Sequence, residues 1–174
     1  MYTRVKGESY MNLVYDVYQS KIGNLYILSE DGFIVSIDIG DEKFNKLKDE
    51  YIKKGIDIKR SKEDLKEAIN QIDDYFKGKR KAFDLDIRIE GTEFQKSVYR
   101  EMLKIPYGET LYYSDIAQNI NNPKSVRAIG QASKSNKIPI IIPCHRVVGK
   151  NNIGGYMGNH SDLKEILLNL EKSI

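Results

Sequence analysis

Cysteine is almost missing from this chain, with one residue, Cys144, in 174. A single thiol closes no internal disulfide, which points to a reducing, cytosolic compartment. It also excludes a zinc site built from several cysteines. Histidine is as scarce, only His145 and His160 being present, so neither a metal cluster nor any other cofactor is expected. No apolar run approaches the roughly 18 residues needed to cross a bilayer. The stretch Met1–Glu8 lacks the apolar core of a signal peptide, and no repeat or low-complexity segment interrupts the chain. What remains is ordinary for a globular protein: 40% hydrophobic and 30% charged residues, in a length that makes one large domain or two small ones.

Net charge is only +3, a weak argument for a nucleic-acid partner. The distribution says more. Between Asp115 and Asp162 the chain carries Lys124, Arg127, Lys134, Lys137, Arg146 and Lys150 without one Asp or Glu. A partner with a negative backbone would suit that stretch.

The first part of the chain reads as α/β. Leu13, Tyr15 and Val17 alternate, Leu25–Leu28 follow a turn at Gly23-Asn24, and Phe33, Val35, Ile37 and Ile39 alternate after Asp31-Gly32. These predict a small antiparallel sheet with short turns. Two amphipathic helices follow, one with Phe44, Leu47 and Tyr51 on a face, the other with Leu65, Ile69, Ile72 and Phe76 and with Ser61 as its N-cap. Phe83, Leu85, Ile87 and Ile89 predict an extended connection or a further strand. The domain boundary falls here, giving an N-terminal domain over 1–86 and a mostly helical one over 87–174.

In the second part, Thr92-Glu93-Phe94-Gln95 has capping-box spacing. A short helix from about Ser114 to Ile120, the turn Asn121-Asn122-Pro123 and a helix from Pro123 to about Ser135 predict a helix-turn-helix. On the second of these helices Val126, Ile129 and Ala132 face inward. Lys124, Arg127, Gln131 and Lys134 share another face, with the small residues Gly130 and Ser133 between them. A glycine inside a helix costs roughly 1 kcal/mol relative to alanine; close approach of another backbone is one recompense. Such a stripe is either a solvated face or a surface that enters a groove. The last helix, Ser161 to Lys172, is expected to turn Leu163, Ile166, Leu167 and Leu170 to the core. Before it lies the apolar run Ile138–Ile142, read as a buried strand, ending at Pro143-Cys144-His145-Arg146. A lone thiol there, with an imidazole beside it, is either a nucleophile or a core cysteine packed as a small hydrophobe.

The ordered set Gly91-Thr92-Glu93-Phe94-Gln95, Ile105-Pro106-Tyr107-Gly108-Glu109-Thr110, Asn122-Pro123-Lys124 with Arg127-Ala128-Ile129-Gly130, Ser135-Asn136, Ile140–Val148 and Gly154-Gly155-Tyr156 resembles the O6-alkylguanine-DNA alkyltransferases, also called methylated-DNA–protein-cysteine methyltransferases. The resemblance spans roughly residues 91 to 171. It implies a ribonuclease H-like N-terminal domain and a C-terminal domain that binds double-stranded DNA containing O6-alkylguanine, as a monomer and through the minor groove. It implies a suicide methyltransferase of the cytoplasm, on the nucleoid when bound to DNA. The base is flipped out, and its O6-alkyl group passes irreversibly, once per molecule, to Cys144. His145 then activates the thiol through a water, Glu171 holds the histidine, Tyr113 protonates the departing guanine and Asn136 tethers the turn between the recognition helix and the active-site strand. Arg127 fills the gap left by the base, with Lys124, Gln131, Lys134, Gly130 and Ser133 along the DNA face. Val147, Tyr156 and Met157 line the guanine pocket. Tyr99, Tyr112 and Met157 depart from residues common in the family, and the loop Gly149–Gly155 is about one residue short. The Met157 and loop changes touch the pocket rim, which leaves the range of accepted alkyl groups open.

The chemistry has a barrier to meet. A free cysteine is only about 3% thiolate at pH 7. Neighbouring side chains on a strand point to opposite faces, so His145 needs a bridging water or a turn at Pro143 to reach the thiol. Two alternatives stand beside transfer: a catalytically inert protein that binds alkylated DNA, which would lack the cysteine, and a helix-turn-helix regulator, which would not alkylate a thiol. A cysteine hydrolase would need an oxyanion hole, for which no motif is present.

Overall fold

A computed structural model describes residues 3–4, 10–157 and 160–172. Most of Met1–Glu8, the stretch read above for a signal peptide, therefore lies outside the described residues. The chain divides into two compact units, Met1–Arg88 and Ile89–Ile174.

In the first unit β1 (Thr3–Arg4) pairs with β2 (Tyr10–Met11). The main sheet contains β3 (Leu13–Ser20), β4 (Gly23–Glu30) and β5 (Phe33–Ile39) as an antiparallel meander. The turn between β4 and β5 has positive φ at both Asp31 and Gly32, the pair of left-handed residues that an Asp-Gly hairpin supplies. Helix α1 (Asp41–Lys53) then leads to β6 (Lys59–Arg60), which lies parallel beside β3, so the order is β5-β4-β3-β6 and the sheet is mixed rather than wholly antiparallel. A connection through a helix can return a strand in parallel where a tight turn cannot. Leu25, Ile27 and Ile37 are fully buried, and Phe44 of α1 stacks on Tyr26 with ring centroids 4.1 Å apart. Helix α2 (Lys66–Phe76) buries Ala68, Gln71, Ile72, Tyr75 and Phe76. Ser61 does not cap it: its hydroxyl accepts from Asp64 N, closing a preceding turn that delays the helix to Lys66. Phe83–Arg88 runs as an extended connection held at Ile34, whose amide donates to Asp86 and whose carbonyl accepts from Arg88.

The second unit opens with α3 (Glu93–Met102), whose capping box at Thr92 and Gln95 is complete. Strand β7 (Leu111–Tyr112) runs into α4 (Tyr113–Asn119) and pairs in parallel with β8 (Val147–Val148). Asn121, at φ 56°, ends α4 in the left-handed region that asparagine tolerates. Helix α5 runs Val126–Lys134, three residues later than expected at its start. Asn122 O accepts from both the amide and the hydroxyl of Ser125, so Pro123–Ser125 close a turn instead of joining the helix. Val126 is consequently 40% exposed rather than inward. Helix α6 covers Ser161–Lys172, but its buried face is Lys164, Leu167, Leu168 and Glu171, while Ile166 points outward. Burial steps of three and four are kept; two charged residues occupy the stripe because each finds partners inside.

The largest difference from expectation precedes Cys144. Ile138–Ile142 is buried but is no strand. Ile140 sits at φ 77°, Ile142 N donates to Ile138 O at 2.9 Å, and the segment doubles back. A β-branched residue in that region is strained by the order of 1–3 kcal/mol. The side chain of Asn136 holds the fold-back: its Oδ1 accepts from Ile138 N at 3.0 Å and its Nδ2 donates to Ile142 O at 2.9 Å.

Candidate active site

Cys144–Arg146 forms a short 3-10 turn after Pro143, with Cys144 N donating to Ile142 O and Arg146 N to Pro143 O. The turn replaces the strand geometry that would have sent Cys144 and His145 to opposite faces. Cys144 is 3% exposed and His145 wholly buried. Burial pushes the Cys144 thiol up, opposed by the Asn136 side chain, by Lys164 and by nearby backbone amides. Burial pulls the His145 imidazole down, against the pull of Glu171. Thiol and imidazole are both neutral in the resting site.

Glu171 organises this turn. Its carboxylate accepts from His145 Nε2 at 2.7 Å, from Arg146 Nε at 2.9 Å and Nη2 at 3.0 Å, and from Gly108 N at 3.1 Å. Burial alone would raise this carboxyl, but the bonds from His145 and Arg146 overcome it and bring its pKa down to about 2. A carboxylate can only accept, so Nε2 of His145 carries the hydrogen. Nδ1 is then the basic nitrogen, and it is buried without a hydrogen-bond partner among the described residues. An imidazole in that tautomer can take a proton, and the carboxylate behind it stabilises the resulting cation.

Tyr113, the first residue of α4, faces a cavity of about 280 Å³, which Gly130, Gln131, Ser133 and Lys134 of α5 and Gly154–Met157 also line. That is just below the range of small-ligand pockets, roughly 300–1,000 Å³. Burial and the nearby Cys144 raise the Tyr113 phenol, against a bond from Ser133. Tyr156 is raised well above its ordinary value by burial and by Cys144, and its hydroxyl has no partner among the described residues. Met157 sits at φ 43° on the rim.

Of the α5 residues expected to face DNA, Arg127, Gln131 and Lys134 are exposed, as is Lys124 in the preceding turn. Ser133 is not on that face: it is 8% exposed and turns into the cavity beside Tyr113. A Cβ at Gly130 would meet nothing within 4 Å, so packing within the protein does not explain its missing side chain. Tyr99 is buried and donates from its hydroxyl to Ala132 O at 2.9 Å, tying α3 to α5.

Sequence reasoning missed two residues. Arg146 is buried, shares Glu171 with His145 and donates from Nη1 to Ile105 O at 2.7 Å. Lys164 is fully buried on α6 and donates from Nζ to Val147 O at 2.6 Å and Gly155 O at 3.3 Å. The signal for Lys164 was the spacing of Lys164, Leu167, Leu168 and Glu171, one stripe once the charged residues are counted in it; nothing in the sequence marked Arg146 as buried.

Two family models match the chain: the ribonuclease-like domain of 6-O-methylguanine DNA methyltransferase over residues 13–89 and its DNA-binding domain over residues 93–173. The constitutive methylated-DNA–protein-cysteine methyltransferase of Bacillus subtilis is 39% identical, over 91% of this chain and 94% of its own. The corresponding protein of Methanosarcina acetivorans is 40% identical, over 92% and 99%. Among solved structures, the O6-methylguanine methyltransferase of Mycobacterium tuberculosis superposes with a TM-score of 0.80 at 31% identity, over 92% of this chain and 93% of that one. A structure of the Mycobacterium tuberculosis protein in complex with DNA gives 0.78 at 32%, with the same coverage.

Proposed function

This chain belongs to the O6-alkylguanine-DNA alkyltransferase family, and from that premise we propose that Cys144 is the acceptor that takes the alkyl group from O6 of a flipped guanine. The protein is a methylated-DNA–protein-cysteine methyltransferase, its partner is DNA and its reaction is direct reversal of alkylation damage. The observation that carries the assignment of roles is the Cys144 turn with His145 Nε2 fixed on Glu171.

Helix α5 enters the minor groove of the duplex, with Lys124 and Lys134 on phosphates and Gly130 allowing close approach. Arg127 occupies the space left by the extruded base, which costs a few kcal/mol to unstack. The base enters the cavity lined by Tyr113, Tyr156 and Met157. The Cys144 proton passes through a bridging water to His145 Nδ1. The thiolate sulfur attacks the alkyl carbon, the carbon–O6 bond breaks with its electron pair going to the purine, and the Tyr113 phenol donates a proton to that anion. Burial pushes the thiol up and the imidazole down, which leaves both groups uncharged at rest and calls for the proton transfer above. Asn136 holds the strained turn that presents Cys144. The product is a thioether with no group placed to remove the alkyl, so each molecule reacts once. The inert-binder and regulator readings are not favoured.

The protein acts as a monomer in the cytoplasm, on the nucleoid when bound to DNA. No helix among the described residues is long and apolar enough to cross a membrane. The test is mass spectrometry after mixing with a duplex containing O6-methylguanine. A gain of one CH2 unit on the Cys144 peptide is expected; an unmodified peptide from reduced, folded protein contradicts the assignment.

A further inference from the structure

We propose that Val126 is a specificity-determining residue of the DNA face: its methyl groups pack on the sugar beside the flipped nucleotide and select deoxyribose over ribose. The proposal rests on the reading above, in which α5 lies in the minor groove and the cavity receives the guanine, and concerns which nucleic acid that site accepts.

Three observations carry it. Val126 is the first residue of α5 and is 40% exposed, although it is apolar. Helix formation does not call for it, because a β-branched residue at an exposed helical position is a poorer helix former than alanine. Second, Gly130 stands four residues on, one turn along the same side of the helix and about 6 Å away. A Cβ at Gly130 would meet nothing within 4 Å, and Gly130 lines the cavity. The strand that hands its base into that cavity passes over Gly130, and a nucleotide next to the flipped one meets Val126. Third, the surface it meets is carbon. The hydroxyl of Ser125 is turned inward and donates to Asn122 O at 2.7 Å. Among residues 125–129 only Arg127 carries an exposed polar side chain, and it projects about 100° round the helix from Val126.

The charge around Val126 names the partner. Lys124, Arg127 and Lys134 are exposed, and no Asp or Glu lies between Asp115 and Asp162, which suits a polyanion. An apolar side chain among those cations adds nothing to phosphate binding. It fits the carbon edge of the sugars between the phosphates. In the minor groove of an RNA helix that edge displays the 2′-hydroxyl. With hydrogen at the 2′ position Val126 closes on carbon. With a hydroxyl there, closure leaves a polar group buried and unpaired, a penalty of roughly tenfold in rate. The selection acts on a neighbour of the damaged nucleotide and never touches the alkylated base.

The test is single-turnover transfer from duplexes containing O6-methylguanine, with ribose placed in turn at each of the nearest neighbours on the damaged strand. The parent is expected to slow about tenfold at one of these positions and less than about twofold at the others. Val126→Ala opens space for the hydroxyl, and Val126→Thr keeps the branched shape while offering it a hydrogen-bond partner. In both, the penalty at the sensitive position should shrink to about threefold or less. Each protein is compared with itself on ribose-bearing and all-deoxyribose duplexes, so a general change in DNA affinity cancels. Val126→Ala is expected to melt no lower than the parent. A parent that transfers equally from every duplex, or that slows equally at every position, overturns the proposal, and this arm needs no variant to fold. A penalty kept in full by either variant also overturns it. Parent protein that takes no alkyl group from the all-deoxyribose duplex refutes the alkyl-transfer reading itself, an outcome distinct from the others.

Discussion

The two units of this chain use charge in opposite ways. In Met1–Arg88 the ion pairs keep at least one partner in water: Lys46–Glu42 has both side chains more than 70% exposed, and the buried Asp16 and Asp38 pair with Arg60 and Lys43, which are about half exposed, so water screens them. In Ile89–Ile174 the charges that matter are inside: Glu171 with Arg146 and His145, and Lys164 against two carbonyls. Taking a charge out of water costs several kcal/mol, and a fold retains a buried charge where hydrogen bonds or an opposite charge meet it. The difference teaches where to look for chemistry. In the first unit every ion pair among the described residues has a partner reaching water; in the second Glu171 and both its partners are buried, and the same helix stripe that packs α6 also sets the protonation of the site.

Substitutions can break that contrast, and the largest effect is expected at the thiol. Cys144→Ser should abolish transfer while leaving affinity for alkylated duplex within about twofold, as read by fluorescence anisotropy; Lys46→Ala in the first unit should leave both unchanged. Next comes Arg127→Ala. Losing a finger that offsets part of a few kcal/mol of unstacking should slow transfer from duplex by roughly ten- to a hundredfold. Reaction with free O6-methylguanine base should stay the same; equal slowing on both substrates would remove the finger role.

Glu171→Gln tests the buried network. It leaves Arg146 buried beside a neutral amide and should cost about 3–5 kcal/mol in chemical denaturation, along with a slower transfer. Glu42→Gln should not move the midpoint measurably. The smallest effect is one of pH. The folded Glu171 pKa lies below the unfolded value of 4.5, so its stabilisation is complete above 4.5 and is lost as pH falls toward about 2. Denaturant midpoints measured across that window should fall for the parent and fall less for Glu171→Gln.

Much of this was legible in the sequence because local rules and motif agree. Alternation gave β3 to β5, the Thr92 capping box started α3, and Cys144, His145, Tyr113, Asn136 and Glu171 fall in one site-bearing unit. The failures share one cause. Ile138–Ile142 looks like a strand because apolarity reports burial, not backbone direction, and the clamp by Asn136 is invisible until distances are known. Lys164 was left off the buried stripe because charged residues default to solvent. Ser133 was placed on the outer face of α5, since a helical wheel cannot say that α4 and the loop behind Tyr156 close over it. The parallel strand β6 is two residues long, too short to show a period.

The account turns on Cys144 acting as a reagent consumed by its own reaction. The most direct measurement is a titration of active protein against excess duplex carrying radiolabelled O6-methylguanine. The label should move to protein and level off at one methyl group per molecule, with none on Cys144→Ser. Continued release of label beyond that ratio, or label bound equally by Cys144→Ser, would contradict it.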